Sequence, residues 1–325
     1  MLSLLSRLLQ MLFVLWVVAT ILFFLFRLMP GDPTVAYIDT NFNEEQVRQL
    51  KKSFGLDQPL HVQYVLYLGN LAIGEFGNSF HQKQPVLKIL LSVLPNTIIL
   101  TLSSLIIAYA FGSLAGAWLA WRRGTWIEGV MIPLVLTLRA APEFWLGMVL
   151  LSIFGFQLGW FPSGGANSAG ALYTSEWRRI TSADFLRHLV LPAATLALYL
   201  QGLPLLLMRS NMLDVMSEDF ITMARMKGLS TRAIVLRHAA RNALLPVATA
   251  FALGFGASIG GNVVIETVFS WPGLGRLLVS AVAASDYPVA QGAFFIISVV
   301  LVVMNFVADL LYSALDPRVS HARRG

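Results

Sequence analysis

Six long apolar stretches constrain the fold of this chain more than any other feature. Each lacks charged residues and approaches or exceeds the roughly 20 residues that a helix needs to cross a bilayer. They cover residues 8–26, 97–121, 144–161, 189–208, 242–265 and 287–308. The first is too long for the apolar part of a cleavable signal and is followed by "RLMPGDP", so we expect a retained helix. The pattern predicts an all-α membrane protein with six transmembrane helices.

Composition agrees with a membrane protein and excludes several kinds of site. Of the 325 residues, 57% are hydrophobic and 12% are charged, whereas soluble domains carry about 25% charged residues. The sequence contains no cysteine, which excludes disulfides and thiolate metal sites. The five histidines are too scattered for a metal cage. A net charge of +6 without a basic stripe interleaved with aromatics does not indicate nucleic-acid binding.

Basic residues in the short segments between the stretches predict the orientation in the membrane. With a cytoplasmic N-terminus, the inner segments hold most of them: Arg7, Arg122, Arg123, the basic stretch 225–241, Arg318, Arg323 and Arg324. Residues 30–90, 162–187 and 270–286 then lie outside, and long translocated loops carry little weight in this rule. We therefore expect both termini to be cytoplasmic.

The same division predicts the domain organisation. It consists of an N-terminal transmembrane helix (1–29), an extracytoplasmic insert (30–93), a five-helix core (94–313) containing a cytoplasmic loop (210–243), and a cytoplasmic tail (314–325). In the insert, Asn43 and Gly55 bound one predicted helix. A lid or packing role for this insert is favoured over direct substrate contact. The second outer loop is rich in Gly, Ser and Ala and is predicted to be irregular.

Ionisable residues close to the predicted spans are candidate functional positions. Arg139 and Glu143 flank Pro142, where a break in the third span is predicted. Charged groups at depth cost roughly 2.5 to 3.5 kcal/mol each, so they usually face a cavity or a partner. Arg139 and Glu143 therefore either line a translocation path or form an internal ion pair that stabilises the break. Glu266 and Asp309 are further candidates for the path.

Glycine patterns within the spans favour close helix packing over nucleotide binding. Gly112 and Gly116 are four residues apart, and Gly254, Gly256, Gly260 and Gly261 follow in a later span. No soluble strand precedes the later run, so this run does not match the fingerprint of a dinucleotide-binding site. No G-x-x-x-x-G-K-[ST] sequence occurs, so this chain does not bind ATP through a P-loop. Small residues at such spacing let membrane helices approach closely.

The segment "ARMKGLSTRAIVLRHAARNALLP", residues 224–246, is the most basic part of the chain. Its five Lys and Arg residues would cost about 12 to 18 kcal/mol inside a bilayer, so the segment must lie outside it. Residues 217–219 suit a helix start, Phe220, Met223 and Ala224 form an apolar face, and Gly228 ends the helix. Ser230 is predicted to cap a second short helix. Either the segment lies on anionic lipid, or it docks into a groove of another protein.

This segment resembles the "EAA" loop of permease subunits in binding-protein-dependent ABC transporters, within the dipeptide, oligopeptide and nickel importer family. Ala224 and Gly228 match the loop's central alanine and glycine, whereas Thr222 and Met223 replace its glutamate and first alanine. "RNALLP" at 241–246 resembles the ending of the peptide branch. Further matches follow in family order: "MPGDP" (29–33), "GEFGNSF" (74–80), "PEFWLG" (142–147), "GWFPSGG" (159–165), "ETVFSWPGLGRLL" (266–278), "DYPVAQG" (286–292) and "DPR" (316–318). One span followed by a sizeable outer insert is similar to the first permease of the pair.

The resemblance implies a type I ABC importer permease in the inner membrane, which moves di- or oligopeptides and is not itself an enzyme. It implies a second similar permease, two ATPases that bind ATP and Mg²⁺, and an extracytoplasmic solute-binding protein as partners. The chain itself would need no cofactor. The implied coupling helix contains Asp219, Phe220, Met223, Ala224, Arg225, Lys227 and Gly228, with support from Arg237, His238, Arg241, Asn242 and Pro246.

Two other functions remain open at this point. An ion- or proton-coupled transporter or channel could use Arg139, Glu143, Glu266 and Asp309 as its relay. A membrane-anchored assembly protein without transport fits poorly with six spans and ionisable residues at depth. For an ABC importer permease, nickel, glutathione and opines are alternative substrates to di- or oligopeptides.

Overall fold

The computed structural model describes residues 2–28, 58–259 and 262–315 of the chain. These residues are helical apart from turns, loops and one isolated β-bridge between Asn78 and Pro85. The α-helices are α1 Leu2–Leu28, α2 Leu60–Ala72, α3 Val86–Trp121, α4 Trp126–Ala140, α5 Glu143–Leu150, α6 Glu176–Ile180, α7 Ala183–Leu200, α8 Gly202–Met216, α9 Asp219–Met226, α10 Thr231–Ala233, α11 Ala240–Ile259, α12 Val263–Val268, α13 Leu274–Ala283 and α14 Tyr287–Leu315. Two π-helical segments, Leu151–Gln157 and Ile234–Ala239, follow α5 and α10.

Several of these helices are long and apolar enough to cross a membrane. Four qualify alone, at Leu5–Arg27, Val86–Trp121, Ala183–Leu200 and Tyr287–Ala308. A fifth crossing is possible where Trp126–Ala140 and Glu143–Gln157 form one span bent by 104°. The helical membrane class is therefore confirmed, with four or five crossings supported by the described helices. The helix expected between Asn43 and Gly55 lies outside the described residues, as do Gly260 and Gly261.

The bend in the third span lies where Pro142 predicted it. Helix α4 ends at Ala140, and Ala141 adopts extended backbone with φ −65° and ψ 141° because a residue before proline disfavours the α region. Helix α5 then begins at Glu143. The 104° bend removes the helical spacing that would have brought Arg139 to Glu143. No ion pair joins these two described residues, so the internal-pair interpretation is wrong.

The chain divides into two compact units, each with its own core. The first consists of Met1–Thr97 and Pro272–Val303, and the second of Ile98–Trp271 and Met304–Gly325. In the first unit, Val86 and Leu90 of α3 pack with Ala290 and Ala293 of α14. Asp286 accepts hydrogen bonds from the Ser79 hydroxyl at 2.6 Å and the Phe80 amide at 3.1 Å.

Close packing of α3 against α8 forms the centre of the second unit. A Cβ added at Gly116 would lie 2.3 Å from the Leu205 carbonyl oxygen, and one at Gly112 would lie 2.8 Å from the Gln201 carbonyl oxygen. Only glycine lets the two backbones approach this closely. The packing role predicted for Gly112 and Gly116 is therefore confirmed.

The segment predicted as the second outer loop is irregular apart from α6 and the start of α7, as expected, and one carboxylate accepts hydrogen bonds from two of its residues. Asp184 accepts hydrogen bonds from the Ser168 amide at 2.9 Å, the Ser168 hydroxyl at 2.6 Å and the Tyr173 hydroxyl at 2.9 Å. Earlier in the loop, the Gly165 amide donates to the Phe269 carbonyl at 3.1 Å. These bonds give a loop without regular structure a defined conformation.

We expect Gly116→Ala to destabilise the protein by about 1 to 3 kcal/mol, because the added methyl group overpacks the contact between α3 and α8. Gly129→Ala is the matched control, since Gly129 lies on α4 with nothing within 4 Å of an added Cβ. That control should be neutral or stabilising by up to about 1 kcal/mol through helix propensity. Thermal unfolding of the purified complexes measures both. Equal melting temperatures for the two variants would contradict the close contact.

Candidate functional site

The basic segment between α8 and α11 begins with a short helix whose limits match the sequence signals. Helix α9 covers Asp219–Met226, with Glu218 in extended conformation at its N-cap. Gly228 has φ +77°. Its amide donates to the Arg225 carbonyl at 2.9 Å, and the Leu229 amide donates to the Ala224 carbonyl at 3.3 Å. A left-handed glycine closes the helix in this way, so the predicted end at Gly228 is confirmed.

The second predicted helix starts as expected but is not short. The Ser230 hydroxyl accepts a hydrogen bond from the Ala233 amide at 3.3 Å, which confirms its capping role. Helix α10, the π-segment Ile234–Ala239 and α11 then follow one another without a break. No glycine or proline interrupts residues 231–245, and Pro246 is accommodated inside α11. The basic segment therefore continues directly into a long helix of the second unit.

One face of α9 packs into this continuous helix. Ile221 and Ala224 are buried and belong to the same cluster as Ile234, Val235 and Ala239. The sequence predicted an apolar face made of Phe220, Met223 and Ala224, and only Ala224 of these faces inward. The prediction was wrong for the other two because α9 carries two apolar faces, and the packing of Ile221 selects the inner one.

The other apolar face of α9 is exposed and forms an outward stripe of Phe220, Met223 and Met226. Met223 is 53% exposed and Met226 is 76% exposed. These residues recur every three positions, so they lie along one side of the helix. The cationic residues Arg225 and Lys227 are also exposed. An apolar stripe beside cationic side chains, on a helix fixed from behind, has the form of a helix that docks into a groove.

A polar contact ties the helix that leads into α9 to a distant turn. Arg209 of α8 donates from Nε to Glu128 Oε1 at 2.7 Å, and its Nη2 also contacts that oxygen. The other oxygen of Glu128 accepts from the Gly124 amide at 2.7 Å. Planar arginine suits this double contact with a carboxylate. The sequence analysis missed this pair because 81 residues separate its members.

The residues expected to support the coupling segment lie along the continuous helix. Arg237, Arg241 and Asn242 are exposed, and His238 is half-buried. Asn242 donates from Nδ2 to the His238 carbonyl at 3.0 Å. A separate anchor that sequence reasoning missed is Asn211, whose Nδ2 donates to the Ala243 carbonyl at 3.3 Å and joins α8 to α11.

The candidate path residues lie on separate elements. Arg139 is exposed near the end of α4, and its aliphatic part lies 3.1 Å from a Cβ added at Gly202. Glu143 is half-buried at the first position of α5, and one of its oxygens has no hydrogen-bond partner. Glu266 is fully buried on α12. The side chain of Asp309 lies outside the described part of the chain.

The described residues contain no group of three or more His, Asp or Glu side chains that could hold a metal ion. The long apolar helices and the broken span together define a helical membrane protein. Comparison with known proteins then gives its family.

The chain belongs to the family described as binding-protein-dependent transport system inner membrane component, which matches residues 112–321. The N-terminal domain described for the same systems matches residues 1–101. The protein is therefore an inner-membrane transport component. Membership of this family argues against the hypothesis of an ion- or proton-coupled transporter, because transport in this family depends on a binding protein.

Full-length relatives support the assignment, and one solved structure has a similar fold. The "Glutathione transport system permease protein GsiC" of Salmonella choleraesuis is 38% identical over 98% of both chains. The "Di/tripeptide transport system permease protein DppB" of Pseudomonas aeruginosa is 36% identical over 99% of this chain and 100% of that protein. The inward-facing MetNI methionine ABC transporter has a similar fold, with a TM-score of 0.53 and 16% identity over 70% of this chain and 96% of its own.

We expect Arg209→Glu and Glu128→Arg each to lower the melting temperature of the purified complex, since each leaves a like-charged pair at this contact. The double variant, with the charges exchanged, should recover part of the loss because an ion pair can form again. The recovery should be incomplete, since the Gly124 amide loses its acceptor. Arg232→Glu, at an exposed position, is the control. If the two single variants melt at temperatures no lower than that of the Arg232→Glu control, the pair of Arg209 and Glu128 does not stabilise the helix that leads into α9.

Proposed function

We propose that this chain is the permease subunit of an ATP-driven importer that moves di- or oligopeptides across the inner membrane by alternating access. The observation that carries this proposal is the outward stripe of α9. The stripe is apolar, exposed and attached to the membrane helices through buried contacts. The family assigns the chain to a transport system, and the stripe is the surface on which a partner ATPase acts.

The proposal includes six transmembrane helices with both termini in the cytoplasm. In this arrangement, α11 and the residues that follow it supply the sixth crossing, in addition to the crossings that the long apolar helices support. The basic segment then lies on the cytoplasmic side, as the positive-inside rule requires. The division into residues 1–29, 30–93, 94–313 with the loop 210–243, and 314–325 follows from this orientation.

In this mechanism, α9 inserts its outward stripe into a cleft of a partner ATPase. Closure of two ATPases, driven by ATP and Mg²⁺ bound on those subunits, would displace α9. Ile221 and Ala224 pass the displacement to the continuous helix behind them, since both are buried against it. Packed interfaces switch between discrete arrangements, so this displacement can drive a rigid-body change of access. The chain itself performs no covalent chemistry.

Individual residues of the segment have distinct roles in this proposal. Phe220 and Met223 supply apolar contact with the ATPase, and Asp219 favours the helix N-terminus through the macrodipole. Arg225 and Lys227 are exposed and supply charge contacts, while Gly228 ends the helix. Arg237, His238, Arg241, Asn242 and Pro246 belong to the supporting helix and hold its position.

The proposed assembly contains a second homologous permease, two ATPases and an extracytoplasmic solute-binding protein. Peptide is the favoured substrate class because relatives over the full length are named for glutathione and for di- and tripeptides. Glutathione is itself a small peptide, and nickel complexes and opines remain alternatives. The residues proposed for the translocation path are Arg139, Glu143, Glu266 and Asp309. Glu266 is fully buried, so in this proposal it acts from behind the surface of the path.

The function is tested by peptide uptake into vesicles that contain the reconstituted complex and its binding protein. We expect uptake to require ATP, and Met223→Glu to reduce it at least tenfold, because a charge replaces an apolar contact in the docking cleft. Thr222→Glu is the matched control on the same helix, and it restores the glutamate of the EAA consensus. It should retain most of the uptake.

Both variants should insert into the membrane in normal amounts, which immunoblotting of the vesicles checks. Uptake driven by an ion gradient without ATP would contradict the importer function. Equal uptake by the Met223→Glu and Thr222→Glu complexes would contradict the assigned role of the outward stripe.

A further inference from the structure

Helix α2 belongs to the segment expected to form an extracytoplasmic insert, yet it packs along a membrane helix. The Tyr64 hydroxyl lies 2.7 Å from the Thr20 hydroxyl of α1. The ring of Phe23 lies 5.3 Å from that of Tyr64 and 5.5 Å from that of Tyr67. Thr20 and Phe23 both lie inside the apolar stretch Leu5–Arg27.

The contact lies well below the end of the membrane helix. Thr20 is seven residues before Arg27, which corresponds to about 10 Å along a helix with a rise of 1.5 Å per residue. Tyr64 therefore touches α1 at the depth of the hydrocarbon region and not at the level of bulk water. Helix α2 has 13 residues and is about 20 Å long, too short to cross a hydrocarbon core of about 30 Å.

The composition of α2 suits this depth. Residues 58–73 contain no Asp, Glu, Lys or Arg. The backbone groups at the end of the helix are also satisfied locally. The Ile73 amide donates to the Asn70 carbonyl at 3.2 Å, the Gly74 amide to the Leu71 carbonyl at 3.1 Å and the Glu75 amide to the Asn70 carbonyl at 2.8 Å. These bonds lower the cost of placing the C-terminal end of the helix in lipid.

The side of α2 that faces away from α1 is exposed and mostly apolar, although it also carries the exposed polar side chain of Asn70. Leu66 is 51% exposed and Ile73 is 72% exposed. They are seven residues apart on one face, roughly opposite the face that carries Tyr64 and Tyr67. Val65, beside them, is 67% exposed. Helix α1 also has exposed apolar side chains, including Ile21 and Leu25.

We propose that α2 is a half-membrane helix whose outward face, formed by Val65, Leu66 and Ile73, is covered by the acyl chains of one leaflet. This is the leaflet at the Arg27 end of α1. Lipid is the occupant that the structure favours because the face is uncharged and lies beside a membrane helix whose own exposed side chains are apolar. The insert then dips back into the membrane at residues 58–73. This inference stands independently of the transported substrate and of the ATPase contact.

The absence of cysteine from the chain allows a direct test. Single cysteines at Val65, Leu66 and Ile73 are spin-labelled in the whole complex reconstituted in lipid vesicles, without the binding protein. Collision rates are measured with oxygen, which concentrates in lipid, and with a water-soluble nickel chelate. Leu12→Cys on α1 is the lipid reference, and Leu172→Cys, in the loop before α6, is the aqueous reference.

We expect the three α2 labels to match the Leu12 reference, with high oxygen collision and nickel collision several-fold below that at Leu172. Nickel collision equal to the Leu172 reference would place α2 in water and overturn the proposal. Low collision with both reagents would show that protein covers the face, and would also overturn it. Retained ATP-driven uptake by each labelled complex, measured after the binding protein is added, shows that the labelled proteins are folded.

Discussion

The close approach of α3 and α8 at Gly112 and Gly116 is the contact on which the second unit depends. At Gly116 a single methyl group would fall 2.3 Å from the Leu205 carbonyl oxygen. This contact fixes α8, which carries Arg209 and Asn211 and leads directly into α9. The position of the outward stripe is therefore set by a glycine contact about 100 residues earlier in the chain. Small residues at helix contacts are a general solution in membranes, where lipid provides no hydrophobic force between helices.

A second constraint is that lipid cannot hydrogen-bond to a broken backbone. Polar side chains of α3 bond to later parts of the chain separately within each unit. In the second unit, the Tyr109 hydroxyl donates to the Ala250 carbonyl at 2.9 Å, and Asn262 donates to the Thr101 hydroxyl. In the first unit, Asn96 donates to the Pro272 carbonyl at 2.8 Å, and the Leu274 amide donates to the Thr97 hydroxyl at 2.8 Å. In the first unit, polar residues of this apolar helix thus satisfy backbone groups of the irregular segment that precedes α13.

Local signals in the sequence predicted what depends on neighbouring residues. Pro142 marked the break in the third span, and Gly228 marked the end of α9, because both act through their own backbone geometry. The π-segment Ile234–Ala239 has no such marker, and the helix that contains it was therefore expected to be short. The inner face of α9 was also mispredicted, since the residue spacing allows two faces and only the tertiary packing of Ile221 decides between them.

Long-range polar contacts could not be predicted from a single sequence. Arg209 and Glu128 lie at the edges of different apolar stretches, and nothing in their spacing pairs them. Asp184 organises a glycine-rich loop through Ser168 and Tyr173, although the loop composition indicated only irregular structure. Helix α2 shows the same limit. The sequence alone places its apolar residues in an extracytoplasmic insert, and only the contact between Tyr64 and Thr20 places them beside a membrane helix.

In the proposed mechanism, the outward stripe of α9 contacts a partner ATPase. Photo-cross-linking in the assembled complex tests this contact, with a probe attached to a single cysteine introduced at Met223. We expect a covalent adduct between this chain and an ATPase subunit, and its loss when the complex is assembled without the ATPases. Adducts with lipid alone in the full complex would show that the stripe does not dock on an ATPase.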